Sequence, residues 1–359
     1  MKRAGGLEAL IRDPENCRLA IENALRTKTW KRGAKAILYN IGETARYISE
    51  NPETGSAYRC KEVVDRASGK TRSLMVPSPI DLCRQHQLMQ VIAPIFERSF
   101  YEHSYACRRG YGFMACAAYV RKRLRLMSRR RTYFAKIDVV RFYESMDHGV
   151  MESLFRRYVK DGFALALLDG VVEGTGKPKG LPIGNFTSQI FANVYLTPAD
   201  RYAKQTLKVP LYVRYADDML LASNNKRQLR RQVDDLVAFI ERSLRLRCHR
   251  ERIQIRALSD SGDGFADFCG FKMYRSHTHV RKRTFLRIRR TAAALSRRVT
   301  LSKARSFMSY WGYLKRADCA NWMKEALSRF RLSDLRKKIS ESDRRRVSMH
   351  DKAVYAATG

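Results

Sequence analysis

Three aspartates in two apolar segments are the residues with the clearest chemical meaning. Asp138 lies within the strand-like start of FAKIDVVRFYESMDH (134–148), and Asp217 and Asp218 are adjacent in LYVRYADDMLLAS (211–223). A carboxylate in an apolar strand is costly to bury unless it is paired or binds a metal. Adjacent carboxylates repel each other, and a divalent cation offsets that repulsion. The pattern indicates a metal site, although each segment alone also fits a solvated turn.

The residues around the aspartates predict the elements that would position them. The apolar half-strands on either side of YADD predict a hairpin with Asp217 and Asp218 at its tip. Between the two aspartate segments, GTGKPKGLPIGNFTSQIFANVYL (174–196) predicts a loop that runs through Ile183 and Gly184 into a helix. A glycine there would let backbone approach a ligand at the helix start, where N–H groups point outward. The P-loop pattern is absent, and an ordinary loop-to-helix connection is the alternative reading.

The charge of the chain indicates a polyanionic partner. Its 359 residues include 71 Lys and Arg against 35 Asp and Glu, a net charge of +36. Nucleic acid is the first candidate partner and an anionic membrane surface the second. Two long stretches, 103–137 and 268–317, contain many basic residues and no acidic one, and aromatic residues are interleaved in the second. Solvated helix faces usually mix both signs, so these stretches favour polyanion-facing surfaces.

Composition excludes several other classes of protein. With 45% hydrophobic residues the chain can bury a core. Its longest apolar run, near 163–168, is far shorter than the roughly 20 residues that span a bilayer. The amino terminus lacks the apolar segment of a secretory signal. The eight cysteines are scattered without a CxxC pair, so we expect reduced, buried thiols in a cytoplasmic protein and no zinc site.

Residue periodicity predicts the elements of the amino-terminal part. Residues 7–50 alternate apolar and charged positions at helical spacing, which predicts helices. Residues 58–78 have the pattern of a hairpin, and a helix is expected from about Pro79 to Phe100.

The order and spacing of the three chemical segments resemble motifs A, B and C of the reverse transcriptases. The resemblance covers roughly residues 20 to 330, including RSLMVPSPIDLCRQHQLMQVIAPIFE (72–97), SYACRRGYG (104–112) and FADFCGFKMY (265–274). The residues that match the three motifs are Asp138 with Phe142 and Tyr143, then Gly184, Ser188 and Gln189, then Tyr215, Ala216, Asp217 and Asp218.

Ile183 and Gln189 narrow the resemblance within the group II intron-like bacterial superfamily. Intron and retroviral enzymes usually carry Gln before the motif B glycine and Pro after its serine. The signature here resembles the reverse transcriptases of diversity-generating retroelements, as do SYACR and SYWGYLKRADCANW. That resemblance implies an error-prone RNA-directed DNA polymerase that makes mutagenised cDNA from a template-repeat RNA to diversify a target gene. Another bacterial reverse transcriptase, of anti-phage or intron origin, and an inactive RNA-binding polymerase fold remain as alternatives.

The resemblance implies an α+β right-hand fold, with a palm of antiparallel sheet backed by helices, fingers and a helical thumb. The expected regions are an N-terminal helical region 1–57, fingers 58–130, palm 131–275 with a fingers-associated insertion at about 150–180, thumb 276–335 and a basic C-terminal tail 336–359.

It also implies two-metal phosphoryl transfer. Two Mg²⁺ ions, with Mn²⁺ as an alternative, would bind Asp138, the Val139 carbonyl and Asp217, with Asp218 in support. Tyr143 matches the steric gate that excludes the ribose 2′-OH. The expected nucleotide-binding residues are Lys70, Arg72, Arg84, Tyr143, Ile183, Gly184 and Gln189. The expected primer and template contacts are Tyr215, Arg281, Lys282, Arg283, Arg287 and Arg290.

Some residues depart from the family pattern. Phe113 and Met114 replace a Gly-x-His seen in many of these enzymes, and the motif D lysine has no clear counterpart. Arg250 and Arg252 would only stabilise charge there, since Arg does not readily release a proton, and His249 is the titratable alternative.

The resemblance further implies the partners. They would be template RNA, cDNA, dNTPs and an accessory variability determinant protein, a small basic pentameric barrel, with no membrane partner and a bacterial or phage-encoded source. Because Ile183 offers no hydrogen bond where accurate relatives have Gln, discrimination between base pairs should weaken. The family resemblance places those errors opposite template adenine.

Overall fold

A computed structural model describes residues 2–54, 58–64, 69 and 71–344 of the chain. The helices in chain order are α1 Glu8–Arg12, α2 Pro14–Leu25, α3 Arg32–Tyr39, α4 Ile41–Glu50, α5 Pro79–Glu97, α6 Phe113–Met127, α7 Phe142–Ser145, α8 His148–Tyr158, α9 Gly162–Glu173, α10 Phe186–Arg201, α11 Lys226–Ser243, α12 Lys282–Arg297, α13 Leu301–Leu314, α14 Ala320–Leu327 and α15 at 332–344. The strands are β1 Arg59–Val64, β2 Thr71–Val76, β3 Tyr133–Ile137, β4 Leu211–Tyr215, β5 Asp218–Ser223, β6 Arg256–Ala257, β7 Ala266–Phe268, β8 Phe271–Met273 and β9 Thr278–Val280.

The chain forms two compact units. Unit 1 comprises Met1–Cys107, Ile137–Lys208 and Gln232–Arg252, and unit 2 comprises Arg108–Lys136, Val209–Arg231 and Ile253–Gly359. One division falls between Lys136 and Ile137, at the last residue of β3.

Unit 1 contains an amino-terminal helical core in which α2 packs against α4 and α5. Helix α5 starts where the Ser78 hydroxyl accepts from the Asp81 N–H, with Pro79 in the first turn, which are typical helix-start residues. The buried Gln87 side chain donates to the carbonyls of Ile11 and Ile48. Because buried polar groups need partners, these bonds hold α5 in register with the preceding helices.

A second part of the unit 1 core is aromatic. Phe96 of α5 stacks with Phe155 of α8 at 5.6 Å between ring centroids, and Phe155 packs against Phe191 of α10 at 4.8 Å. The Tyr195 hydroxyl of α10 donates to the Leu244 carbonyl at 2.7 Å, after α11. Helix α10, which follows Gly184, is therefore anchored on two sides.

Unit 2 contains a four-stranded sheet in the order β4-β5-β3-β6 and a three-stranded sheet in the order β7-β8-β9. Strands β4 and β5 are antiparallel, with Leu211 opposite Ala222 and Tyr215 opposite Asp218. Helices α12 and α13 pack against each other, and α6 packs against β4. The sheet thus presents the YADD segment at the end of one hairpin.

Several expectations about elements are confirmed. The hairpin expected within 58–78 is formed by antiparallel β1 and β2, and the helix expected from Pro79 ends at Glu97. The fingers, palm and thumb boundaries stay predictions, and the boundary expected at 335/336 falls within α15. The tail beyond residue 344, including Arg345 and Arg346, lies outside the described residues.

The expectation of buried thiols is only half right. All eight cysteines are free, and four of them are buried, but Cys60 and Cys107 are exposed and Cys269 and Cys319 are partly exposed. Cys60 is exposed because it lies in β1, a strand with neither face covered by other parts of the protein. Within the described ranges, no helix has the length and apolar character needed to cross a bilayer.

Candidate active site

The YADD segment forms a two-residue hairpin turn, as the sequence predicted. Tyr215 ends β4 and pairs with Asp218, the first residue of β5, so Ala216 and Asp217 are the turn. Ala216 has φ of 55°, the positive value that tight hairpin turns favour at this position. The guanidinium of Arg214, which is 1% exposed, donates to the Ala216 carbonyl at 3.0 Å. A buried cation therefore holds the backbone of the turn.

A second cation contacts the hairpin from within unit 2. The Lys136 Nζ of β3 lies 2.7 Å from Asp218 Oδ1, and about a third of each side chain is exposed. Sequence reasoning missed this lysine. No local pattern links it to Asp218, which lies far away along the chain.

Asp138 lies in unit 1, one residue after β3. Its carbonyl accepts from the His249 N–H at 2.9 Å, and the next residue, Val139, is buried and bridges to Cys248. The Asp138 carboxylate, 32% exposed, lies 3.7 Å from Arg252 Nη1. The backbone at Asp138 is thus fixed by the segment after α11, while its carboxylate stays accessible.

The chemistry of these donors fits a hard divalent cation. Asp138 and Asp218 are partly exposed carboxylates, and each faces a basic side chain of the protein that a metal ion would have to displace or share. Carboxylate oxygens are the ligands that Mg²⁺ prefers. Across the described part of the chain, however, no three His, Cys, Asp or Glu side chains are grouped so that they could hold one ion. That Asp138, Val139, Asp217 and Asp218 share metal ions stays a prediction.

Unit 1 brings the predicted steric gate next to the motif B segment. The Leu181 N–H donates to the Tyr143 carbonyl at 2.7 Å, and the Gly180 N–H donates to the Met146 carbonyl at the same distance. Gly180 has φ of 98°, and a Cβ there would lie 3.1 Å from the Glu144 carbonyl oxygen. A glycine is therefore required for this close approach.

Ile183 and Gly184 line a cleft of about 290 Å³ within unit 1. Leu74 of β2 and two lysines, Lys28 and Lys31, line the same cleft. Burial and the charge of Lys31 lower the pKa of Lys28. Sequence reasoning missed both lysines, because more than 150 residues separate them from Ile183 and no local pattern links them.

The start of α10 is covered by a histidine. His86 of α5 stacks on the Phe186 ring, with centroids 4.7 Å apart and planes 10° apart. Burial, and next the charge of Lys28, lower the pKa of His86 to about 4. The imidazole is therefore neutral near neutral pH, which suits an apolar stacking contact.

The other predicted nucleotide-binding residues are placed differently. Lys70 lies outside the described residues, as does the side chain of Arg72, whose backbone pairs with Val63. Arg84 is largely buried: its Nη1 is 3.2 Å from Asp81 Oδ1, and its guanidinium lies over the Tyr47 ring. A triphosphate could engage Arg84 only if the arginine left these partners. Gln189 is an exposed residue of α10.

The expected primer and template contacts other than Tyr215 lie at the start of helix α12 and along it. Arg281, at its start, forms an ion pair with Asp267 of β7. Lys282, Arg283 and Arg290 are exposed along the helix, and Arg287 is partly buried. Ile288, Ala292 and Leu295 form the buried face, so the basic residues lie on the accessible side.

The three motif D candidates are all paired. Arg250 contacts Glu241 at 2.6 Å, Arg252 contacts Asp138, and His249 Nδ1 lies 2.8 Å from Glu251 Oε1. Of the three, only His249 belongs to a residue type that exchanges protons in proteins, and its backbone N–H donates to the Asp138 carbonyl.

Comparisons with known structures identify the fold. Telomerase from Candida albicans, in complex with a TWJ fragment of telomeric RNA, is similar with a TM-score of 0.50 and 13% identity, over 80% of this chain and 56% of that chain. Apo telomerase from Candida tropicalis gives a TM-score of 0.50 and 12% identity, over 83% and 59%. This chain thus spans less than two thirds of either telomerase chain, and at this identity the likeness concerns the fold.

A comparison with curated protein sequences finds no match. The family model described as reverse transcriptase (RNA-dependent DNA polymerase) matches residues 62–286. The match confirms the α+β polymerase fold and, at the level of the family, the expected nucleotidyltransferase class. Because it spans all three motif segments and more than half of the chain, this protein belongs to the reverse transcriptase family.

Proposed function

We propose that this protein copies a template RNA into cDNA from dNTPs, as the error-prone polymerase of a diversity-generating retroelement. The observation that carries the first part is the YADD hairpin. Its turn is held by the buried Arg214, and its Asp218 carboxylate is partly exposed and contacts the Lys136 ammonium. The observation that carries the second part is Ile183 in the motif B cleft. The mutated cDNA would then diversify a target gene.

The residues of the chain have separable tasks in this proposal. Asp138, the Val139 carbonyl, Asp217 and Asp218 would hold two Mg²⁺ ions, or Mn²⁺ in their place. When bound, the ions activate the primer 3′-OH and neutralise the charge of the triphosphate and of the leaving pyrophosphate. Arg214 keeps the turn backbone in place, which fixes the direction of the Asp217 and Asp218 side chains. Lys136 offsets the charge of Asp218 before metal binds.

The motif B cleft supports a loss of fidelity. Ile183 and Leu74 line it with branched aliphatic side chains, which offer no hydrogen bond to a base pair. A site that does not pair with polar groups of its substrate rejects a wrong substrate weakly. Tyr143, tied through its carbonyl to Leu181, would keep the steric gate in a constant position relative to Ile183.

The polymerase activity is tested by primer extension on an RNA template with Mg²⁺ and all four dNTPs. We expect extension that requires the divalent ion and the RNA template. A chain that binds the primer–template but adds no nucleotide with Mg²⁺ or Mn²⁺ would support the inactive RNA-binding alternative instead.

The error-prone character is tested by sequencing cDNA made by the wild type and by Ile183→Gln. We expect fewer misincorporations opposite template adenine in the variant, because glutamine restores a hydrogen-bonding side chain in the cleft. Leu10→Gln, at a residue that is 55% exposed, is a control for a general effect of added polarity. Equal error spectra in all three proteins would remove Ile183 from the explanation and favour another bacterial reverse transcriptase.

The accessory variability determinant is proposed as a partner through RNA. A basic pentameric barrel and a chain of net charge +36 repel each other, so an RNA that both bind would have to join them. Co-purification that survives ribonuclease treatment would contradict this arrangement.

A further inference from the structure

Unit 2 has a basic groove along α6 that is separate from the residues assigned above. The groove encloses about 460 Å³ and is lined by five basic side chains, and we call it the α6 groove. Those side chains are Arg121, Lys122, Arg125, Arg129 and Arg316. No acidic residue lines it. Asp318 approaches two of them, Arg121 and Arg125, and the remaining positive charge is costly unless a further anion neutralises it.

The floor of the groove is apolar. Phe271 and Met273, alternate residues of β8, are buried beneath it, and Leu126 of α6 is 48% exposed at its side. An apolar floor with basic walls suits a chain that carries both phosphates and sugar or base surfaces. An isolated small anion would use only the walls.

The five basic residues fall into two groups. Arg121 and Arg125 are held in place: they donate to the carbonyls of Arg316 and Ser276, each at 2.9 Å, and both approach Asp318. These bonds fix the two side chains that stand one helical turn apart.

The second group is accessible to a ligand. Lys122, Arg129 and Arg316 are exposed, and within the part of the chain that the structure describes their side chains have no hydrogen-bond or ion-pair partner. The groove thus combines fixed cations with cations that remain accessible.

We propose that the α6 groove binds the phosphate backbone of the template RNA, at a contact separate from the polymerase motifs. Lys122, Arg129 and Arg316 supply the accessible charges for the phosphates. Arg121 and Arg125, four residues and about 6 Å of rise apart on α6, keep the basic wall of the groove in place. The proposal rests on the proposed function for the identity of the RNA. A basic accessory protein would be repelled by this surface, which favours RNA as the occupant.

The test compares two triple variants with the same change of charge. Lys122→Gln/Arg129→Gln/Arg316→Gln removes the accessible cations of the groove. The control, Lys226→Gln/Arg227→Gln/Arg230→Gln, removes one Lys and two Arg that are exposed at the start of α11 in the same unit. Binding of a labelled single-stranded RNA of mixed sequence is measured by fluorescence anisotropy over a range of salt concentrations.

We expect the groove variant to bind RNA roughly tenfold more weakly than the control at moderate salt. Its slope of log affinity against log salt should fall by about 2, since each single-strand phosphate contact contributes about 0.7. Extension of a short primer–template should be the same in both variants. Melting temperatures measured without RNA check that both variants are folded.

Three results would overturn the proposal. Equal weakening by both variants would mean that only net charge matters. Unchanged RNA binding with loss of polyglutamate binding by the groove variant would indicate an acidic protein as the occupant. Loss of short primer–template extension in the groove variant alone would make the groove part of the polymerase grip. If the wild type extends no primer but the two variants still differ in RNA binding, the proposed function fails and the groove remains an RNA site.

Discussion

The YADD hairpin (215–218) and the motif B turn, residues 180–185 before α10, differ in their surroundings. The hairpin is surrounded by charge: a buried arginine beneath the turn and a lysine on Asp218. The motif B turn is surrounded mainly by apolar groups and close backbone contacts, with two lysines, Lys28 and Lys31, lining the same cleft. We infer that substitutions in the hairpin change chemistry with little effect on folding, whereas substitutions around the motif B turn change stability or selectivity.

The largest effect is expected for Asp217→Asn. The amide keeps the shape of the side chain but removes the charge that would bind metal, so the extension rate should fall about a thousandfold or more, which corresponds to several kcal/mol. The free energy of unfolding should change by less than about 1 kcal/mol, because Asp217 lies in a partly exposed turn. Single-turnover primer extension and urea unfolding measure the two quantities.

The control for this variant is Asp235→Asn, at an exposed acidic residue of α11. It removes the same charge without touching the hairpin and should leave the extension rate unchanged. An active Asp217→Asn enzyme would remove the hairpin from the catalytic site.

A pH dependence is expected from His86, next to the motif B turn. Its pKa is lowered to about 4, below the ordinary value of about 6.5. Between pH 6.5 and pH 4 the unfolded chain therefore protonates His86 while the folded chain does not. The contribution of His86 to the free energy of unfolding is fully present above about pH 6.5 and is lost as the pH falls toward 4. The full loss is about 3 kcal/mol, since each pKa unit corresponds to about 1.4 kcal/mol.

His86→Phe tests this contribution. Phenylalanine keeps a ring against Phe186 and removes the titrating group, so its unfolding free energy should decline less than that of the wild type on acidification. Urea unfolding of both proteins at several pH values gives the difference. Parallel curves would show that His86 is protonated in the folded state as easily as in the unfolded one.

A somewhat smaller loss of stability is expected for Gly184→Ala. Gly184 has φ of 98°, a conformation that costs residues with a Cβ about 1–3 kcal/mol. The Cβ itself would meet Leu74 at 3.5 Å, which is an ordinary contact, so the cost comes from the backbone. Gly42→Ala in α4, where a Cβ meets nothing within 4 Å and φ is negative, is the matched control and should stabilise slightly. The two changes in unfolding free energy should have opposite signs.

The smallest effect is expected for Lys136→Met. Removing the ammonium that contacts Asp218 removes a competitor for metal, and an exposed pair of this kind contributes up to about 1 kcal/mol. The affinity for Mn²⁺ should therefore rise a fewfold at most. It is measured from the decrease in the electron paramagnetic resonance signal of free Mn²⁺ on binding. Lys226→Met, at an exposed lysine of α11, should leave the affinity unchanged. Weaker Mn²⁺ binding in Lys136→Met would mean that the lysine supports the site instead of competing for it.

The local sequence pattern was sufficient to predict the strands and helix that carry the motif residues. The alternation in LYVRYADDMLLAS predicts the hairpin that the structure contains, because strand pairing across a two-residue turn depends on adjacent residues only. The helix expected after Gly184 is likewise present, as α10. The family match, over residues 62–286, covers both of these segments.

The sequence by itself was enough to identify the candidate catalytic aspartates, to predict the hairpin and the helix after Gly184, and to indicate a polyanionic partner from the net positive charge. Only the tertiary structure decided which residues surround them: Lys136 on Asp218, Lys28 beside Ile183, and Arg84 buried against Asp81 rather than open to a nucleotide. The physical reason is range. Turns and helices form from neighbouring residues, whereas burial and ion pairing depend on packing between segments that lie far apart along the chain.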